Sequence, residues 1–380
     1  MKVEERKGLR TWIEINTESI DGNYRKFRSM VPEETKICSV VKSNAYGHFL
    51  IDFSKRMEKN GVDHLAVDTI LEGLRLRREG VGIPIMVLGY TLPEMFSEAS
   101  DNDISITVSG WDTLNRITER DHSGRFKIHL KFDTGMNRQG FREEEVSDVL
   151  KTLREKNGHG VVIEGIYTHL ADAKDPTERM ITEEQIKTFQ RVRDAFTNAG
   201  LDPLVHVCAT AGAINYPEAH FDMVRIGIGM YGLWPSDRTR EFASDRLDLE
   251  RVLSWKTVVS DVKEASAGSG IGYGFTERVE RDSRFAVLPV GYWHGYCRSL
   301  SSRSSVLIRG KRAKVLGLIS MDIMMVDVTD IQNIKVGDEV TLIGVDGKEE
   351  ISPEELAFMA GTTNYEIVTR INPLIKKFYR

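Results

Sequence analysis

Apolar and polar positions change rhythm once along this chain. From Thr35 to about Gly232, short apolar runs alternate with longer amphipathic or charged stretches. The runs are ICSVVK (37–42), HLAVDT (64–69), IMVLGY (85–90), ISITV (104–108), FKIHLKFDT (126–134), VIEGIYTHL (162–170), LVHVCAT (204–210) and MVRIGIGMYG (223–232). Between them LIDFSKRMEKNG, ILEGLRLRREG, REEEVSDVLKTLREKNG and TEEQIKTFQRVRDAFTNAG read as helices, the last two closing on Gly158 and Gly200 as C-caps. Near-continuous apolar strands alternating with helices about eight times over roughly 200 residues predict a (β/α)8 barrel, with a doubly wound sheet as the alternative architecture.

After about Arg240 the rhythm becomes strand-like pieces joined by Gly or Asp turns: WKTVVSDVKEA, RFAVLPVGYW, SSVLIRG, RAKVLGLISMDIMMVDV and DEVTLIGVDG. Period-2 alternation there predicts a mostly β domain. The domains are therefore placed at 1–240 and 241–380, with EFASDRLDLER (241–251) as the linker. The early piece at about 10–17 is left between the two, packing on either the barrel or the β domain.

The 380 residues suffice for two such bodies, and 41% hydrophobic with 29% charged residues is ordinary for a soluble globular protein. A net charge of −5 without a long run of one sign offers nothing to nucleic acid or to an anionic membrane. Cys38, Cys208 and Cys297 are odd in number and far apart, which argues against a disulfide framework and a zinc site, and no other metal site is expected. With no apolar signal core and no apolar stretch of about 20 residues, the expected place is the cytoplasm.

Catalytic groups of a parallel barrel stand at the C-terminal ends of its strands. Lys42, Lys131, Arg138, His169, Thr210 and Arg225 fall on that edge. A strand-end lysine stripped of water and near other cations is a competent amine for a Schiff base; the plain alternative is a Lys42 that snorkels to solvent. Gly227 and Gly229 place backbone N–H groups where an anion can approach, or else serve only tight turns. With Thr210 and Tyr46 they make a phosphate-bearing cofactor plausible.

The stretch SVVKSNAYGH resembles the pyridoxal-phosphate lysine motif of the alanine racemases. The resemblance continues in order through HLKFDTGMNRQGF, GIYTHLA, MVRIGIGMYGLWPS, GYG, VGY, SMD and GTTNYEI, from about residue 37 to 367. It implies a pyridoxal 5'-phosphate enzyme that works as a homodimer with shared active sites, taking a small amino-acid substrate. It makes Lys42 the cofactor lysine and the base on the D-amino-acid face, and Tyr273 the opposite-face base, donated by the partner subunit. His169 and Arg225 are implied to favour the Tyr273 phenolate. Arg225 is also implied to hydrogen-bond the pyridine nitrogen without protonating it; its plain alternative is a buried ion pair. Tyr46, Thr210, Gly227, Ile228 and Tyr365 resemble the phosphate set. Arg138 resembles the group on the cofactor oxygen and substrate carboxylate, and Lys131 a lysine carbamylated in many members. Met321, Asp322 and Tyr292 match substrate-side positions, although Met321 also fits a core strand position.

The chain departs from the family pattern at Trp293 and His294 after VGY, at Leu318 before SMD, at Lys174, and at Ala209. These changes touch the pocket mouth and cofactor periphery and leave the proton-transfer groups in place. The resemblance thus implies interconversion of L- and D-alanine, with D-alanine destined for peptidoglycan. A serine or broad-specificity racemase is the alternative. A fold-related decarboxylase lacks its EPGR-like and CESGD-like sequences here, and a non-catalytic binder needs no opposite-face tyrosine.

Overall fold

A computed structural model of the chain describes residues 6 to 119, 125 to 155 and 160 to 380. They form two compact units. The larger holds residues 19–45 and 50–250; the other holds residues up to 18, 46–49 and 251–380.

Strand β1 (Thr11–Ile15) belongs to the smaller unit. The larger unit is built on eight parallel strands: β2 (Lys36–Val40), β3 (His64–Val67), β4 (Ile85–Val87), β5 (Ile104–Val108), β6 (Phe126–Lys131), β7 (Val161–Tyr167), β8 (Leu204–His206) and β9 (Met223–Ile226). Their hydrogen-bonded order runs β8-β7-β6-β5-β4-β3-β2-β9. A bridge between Ala209 and Arg225, with Arg225 N–H donating to Cys208 O at 2.9 Å, draws the two ends together. The sheet is thus a nearly closed barrel, as the alternation predicts. All three residues of β4, Ile85, Met86 and Val87, are buried, which is why its run is continuously apolar rather than alternating.

The surrounding helices follow the sequence pattern. Leu50–Asn60 buries Leu50, Phe53, Ser54 and Met57, one stripe at spacings of three and four. Arg179–Asn198 does the same with Gln185, Phe189, Val192 and Phe196. Gly200 follows it at φ +76°, the left-handed position that ends a helix at lowest cost for glycine. Gly158, the other expected cap, lies outside the described residues. The strands stop short of their apolar runs: β2 ends at Val40 and β8 at His206, because the chain there leaves the ladder to build the loops above it.

The smaller unit has β10 (Leu253–Val258), β11 (Asp261–Ala265), β12 (Gly270–Ile271), β13 (Glu277–Arg278), β14 (Ser283–Leu288), β15 (Ser305–Ile308), β16 (Lys311–Leu316), β17 (Met324–Asp327), β18 (Glu339–Asp346), β19 (Glu349–Ile351) and β20 (Lys377–Tyr379). The sheet order is β11-β14-β17-β16-β15-β18-β10-β1-β20, with β19 on β18 and a separate β12–β13 hairpin. β1 runs antiparallel to β10, Thr11 opposite Thr257 and Ile15 opposite Leu253. Two helices not foreseen by the alternation, Pro353–Ala360 and Asn364–Thr369, complete this unit. The expected linker is partly helical: Glu241–Ala243 is the last turn of Asp237–Ala243, capped by Ser236 Oγ accepting from Thr239 N–H at 3.1 Å. Among the described residues no helix is long and apolar enough to cross a membrane.

Candidate active site

The first feature of the site is backbone. Directly after Lys42 the chain makes a left-handed turn, with Ser43, Asn44, Ala45 and Tyr46 at φ of 56°, 57°, 51° and 50°. None is glycine, so sterics oppose the turn and specific bonds must hold it. Ala45 N–H donates to Val41 O at 2.8 Å. Leu50 N–H donates to Asn44 Oδ1 at 3.0 Å, and Asn44 N–H to Glu72 Oε1 at 3.2 Å. Glu72 Oε2 also accepts from Asp68 N–H at 2.9 Å. The turn is thereby tied to Asp68, whose carboxylate accepts from Lys42 Nζ at 3.1 Å.

Lys42 differs from the desolvated amine expected from sequence. Its side chain is 37% exposed, and its neighbour Asp68 is an anion rather than a further cation. Asp68 directly follows β3 in HLAVD, a strand-end position like that of Lys42, and so was legible by the same rule.

Arg225, on β9, is buried. Its Nη1 donates to His206 Nδ1 at 2.8 Å and His206 O at 3.0 Å; its Nη2 donates to Thr168 O at 2.8 Å and Val207 O at 2.9 Å. Among the described residues no carboxylate touches it, which removes the buried ion-pair alternative, and no acceptor meets its Nε–H. The guanidinium lies over the Tyr167 ring, 5.1 Å from its centroid. Lys131 Nζ approaches the same ring at 5.5 Å and donates to Gln139 Oε1 at 3.1 Å.

These cations act on each other. Burial first, then the charges of Arg138 and Arg225, bring the Lys131 ammonium down to about 8. Burial followed by Arg225, Arg138, Lys131 and Lys42 brings His169 down to about 3. The imidazole is therefore neutral at physiological pH and can assist a phenolate by hydrogen bonding, not by charge. Arg138 leaves a loop organised by Asp133, which accepts N–H bonds from Gly135, Asn137 and Arg138 at 3.0, 3.0 and 2.9 Å. Its guanidinium has no acceptor among the described residues.

Thr210 opens the helix Thr210–Asn215, and its Oγ1 accepts from Gly227 N–H at 3.0 Å and Gly229 N–H at 3.4 Å. Ile228, 1% exposed, starts the following turn, and its N–H meets no acceptor among the described residues. A buried amide left over in this way is rare and suits an anion. A Cβ on Gly229 would lie 2.4 Å from Phe27 Cζ and 2.8 Å from Thr210 Cγ2, so this glycine serves close approach. The open Ile228 amide beside the Thr210 hydroxyl fits a phosphate, and the open Nε–H of Arg225 fits a ring nitrogen. The residues present thus suit pyridoxal phosphate.

Tyr46, Tyr273, Tyr292, Met321, Asp322 and Tyr365 lie in the smaller unit. There the Tyr46 and Tyr365 rings are 6.1 Å apart, and burial pushes the Tyr365 phenol up. Gly47 is pinned beside them, since a Cβ would lie 2.1 Å from Val368 O. Tyr273 sits between Gly272 at φ +71° and Gly274 at φ +66°, a backbone that only glycine adopts freely, and is turned outward with 70% exposure. The loops of Tyr292 and Met321 are bonded together: Tyr292 N–H donates to Ser320 O at 3.0 Å and Trp293 N–H to Met321 O at 2.9 Å. Met321 is 55% exposed and so is not a core residue. His294 Nδ1 stands 3.9 Å from Asp322 Oδ1, which gives one departure from the family pattern a local partner.

Comparison with known proteins agrees with this architecture. The alanine racemase N-terminal domain matches residues 15–235 and the alanine racemase C-terminal domain residues 252–379. The alanine racemase of Methanococcus maripaludis is 39% identical over 372 residues, covering 97% of this chain and 98% of the relative. That of Halothermothrix orenii is 39% identical over 374 residues, covering 97% of each. Among solved structures, alanine racemase from Bacillus anthracis with bound L-Ala-P superposes with a TM-score of 0.92 at 36% identity, covering 98% of this chain and 95% of that one. Alanine racemase from Clostridium difficile 630 gives 0.90 at 34% identity, covering 98% and 96%. With both domains matched and the relatives similar over nearly their whole length, this chain belongs to the alanine racemase family.

Proposed function

We propose that this chain interconverts L-alanine and D-alanine using pyridoxal 5'-phosphate. The observation that carries the reading is Arg225: a buried guanidinium, held by carbonyls and an imidazole, with Nε–H open and, among the described residues, no carboxylate touching it. Burying a cation without an anion is costly, so such a group is retained for a task. When bound, pyridoxal phosphate supplies an electron sink that acidifies the α-C–H of an attached amino acid.

Thr210, Gly227 and Ile228 would hold the phosphate, and by resemblance Tyr46 and Tyr365 belong to the phosphate set as well. Lys42 would hold the carbonyl end, and Arg225 would donate Nε–H to the ring nitrogen. Because an arginine does not surrender its proton, it orients the ring without protonating it. Arg138 would bind the substrate carboxylate together with the partner subunit's Met321 through its N–H, and Asp322 and Tyr292 complete the substrate set. Lys42 Nζ moves the α-proton on the D-amino-acid face and Tyr273 Oη of the partner subunit on the other. Lys131, brought down to about 8, has an appreciable neutral fraction near neutral pH, as carbamylation requires, and the resulting anion would steady Arg138.

The homodimer is supported by the exposed apolar side chains Tyr273, Phe275, Tyr292, Trp293, Met321 and Ile323 on the smaller unit. Under this reading the enzyme works in the cytoplasm and its D-alanine enters peptidoglycan. The test has two parts. Protein supplied with the cofactor is expected to show a visible absorbance band that borohydride bleaches, with the modification mapped to Lys42. Pure L-alanine is then expected to lose optical rotation faster than L-serine or a basic amino acid. Cofactor binding without turnover of any amino acid would sink the racemase assignment; faster serine turnover would sink alanine.

A further inference from the structure

The interior of a parallel barrel is ordinarily filled by branched apolar side chains. Behind Arg225 this barrel instead carries a row of polar groups. His206 on β8 accepts from Arg225 through Nδ1, and its Nε2 lies 2.9 Å from His129 Nδ1 on β6. His129 Nε2 lies 3.1 Å from Glu164 Oε2 on β7. Both imidazoles are fully buried. Ser105 Oγ on β5 donates to the same Glu164 oxygen, and Lys127 Nζ stands 3.6 Å from the other.

The proton positions along this row follow from one fact. Arginine can only donate, so His206 Nδ1 is bare. A neutral His206 then carries its proton on Nε2 and donates to His129 Nδ1. His129 in turn carries its proton on Nε2 and donates to Glu164. The opposite assignment would set an Nδ1–H of His206 against an N–H of Arg225. Every bond thus runs one way, from the buried cation to a carboxylate two imidazoles distant. Burial pushes the Glu164 carboxyl up, but the hydrogen bonds from His129 and Ser105 and the nearby Lys127 outweigh it and hold the carboxyl below its ordinary value. The strand below His129 is also cleared for it: a Cβ on Gly165 would lie 2.3 Å from His129 Nδ1.

We propose that Glu164 is a positioning residue for Arg225: as the terminal acceptor it fixes the direction of the Arg225–His206–His129–Glu164 chain, and with it where the free Nε–H of Arg225 points. The proposal rests on the reading that Arg225 faces the cofactor ring. It also accounts for a buried guanidinium that touches no carboxylate, since its counter-charge is reached through the two imidazoles.

Two arms test it. In Glu164→Leu the terminal acceptor is gone, whereas in Glu164→Gln the amide oxygen still accepts from His129 Nε2–H. In the loaded dimer, Glu164→Leu is expected to alter the absorption spectrum of the bound cofactor and lower kcat by on the order of 100-fold, the scale of a misplaced catalytic neighbour. Glu164→Gln is expected to restore spectrum and kcat most of the way. A folded Leu variant with the wild-type spectrum and kcat, or a Gln variant as impaired as Leu, would overturn the proposal.

The second arm needs neither a variant of Glu164 nor cofactor. In wild-type protein labelled with 15N-imidazole histidine, assigned through His129→Gln and His206→Gln, both rings are expected as neutral Nε2–H tautomers at pH 7. A charged ring or an Nδ1–H His206 would refute the one-way chain. Failure of the protein to bind pyridoxal phosphate would instead count against the function proposed above, while this arm still decides the chain.

Discussion

Gly229→Ala tests whether the turn after β9 is a shaped cup or merely a tight corner. The new methyl carbon would stand 2.4 Å from Phe27 Cζ and 2.8 Å from Thr210 Cγ2, inside the 3.0 Å that real Cβ contacts essentially never breach. Phe27 is fully buried and cannot swing into solvent. Overpacking of this kind costs about 1–3 kcal/mol, which for a unit of this size lowers Tm by about 2–12 °C. The cheaper relief is for Thr210, a candidate for the phosphate, to move away from Gly229. Losing one charge-assisted hydrogen bond weakens binding by about 1.5–3 kcal/mol, or roughly 10- to 150-fold in Kd. Melting of the unloaded protein followed by circular dichroism, then titration with pyridoxal phosphate, reads both effects. The source of the clash is checked by a double-mutant cycle, since in a Phe27→Leu background the same substitution should cost less. Unchanged melting and unchanged affinity in Gly229→Ala would refute the close-packing account of this glycine.

Tyr273→Phe is expected to slow removal of the α-proton from L-alanine far more than that from D-alanine, with cofactor affinity unchanged; single-turnover isotope exchange on the two enantiomers measures this, and equal losses would remove Tyr273 as a face-specific base. Lys131 releases its proton near pH 8 in the fold but near its ordinary 10.5 when unfolded, so the unfolded chain binds more protons between those values and stability rises with pH across that window. Lys131→Met should flatten that rise, by an amount on the order of 2 kcal/mol read from urea unfolding at pH 8 and pH 10. His169 falls from an ordinary 6.5 to about 3, so the unfolded chain gains protons first and stability drops as pH falls through that range. His169→Gln should unfold less readily than wild type at pH 5 relative to pH 7, and an unchanged difference would mean that the ring is not buried among cations.

The eight barrel strands could be read from the sequence because parallel strands covered on both faces are mostly apolar, as β4 is throughout, and because Gly200 ends its helix where only glycine sits easily. The two helices after Ser352 were not readable in that way. PEELAFMA and NYEIVT are short, and their apolar positions fit a strand as well as a helical face until the caps at Ser352 and Thr363 are seen. At the site, the strand-end rule identified Lys42, Lys131, His169, Thr210 and Arg225, since it depends only on where apolar runs stop. It said nothing about what each side chain meets. The rule also reaches Asp68, but its bond to Lys42, the clamp of Glu72 on the turn, and the bonds joining Glu164, His129 and His206 link separate segments, and no local pattern announces them. The neutral state of His169 likewise depends on four cations gathered from separate strands and loops.

The left-handed turn from Ser43 to Tyr46 carries a consequence for how such an enzyme can change over time. At about 1–2 kcal/mol for each residue of the wrong hand, the turn holds back roughly 4–8 kcal/mol that ordinary selection for firmness would recover. Recovery is one codon away: Ser43 is exposed, and a glycine there accepts φ of 56° at little steric cost. Such a variant would melt later and yet hold Lys42 less firmly, because glycine opens further backbone conformations that the bonds of Asn44 and Glu72 would then have to exclude. Ancestral or consensus libraries screened for heat resistance alone should therefore accumulate glycine at this position, while libraries screened for turnover should purge it.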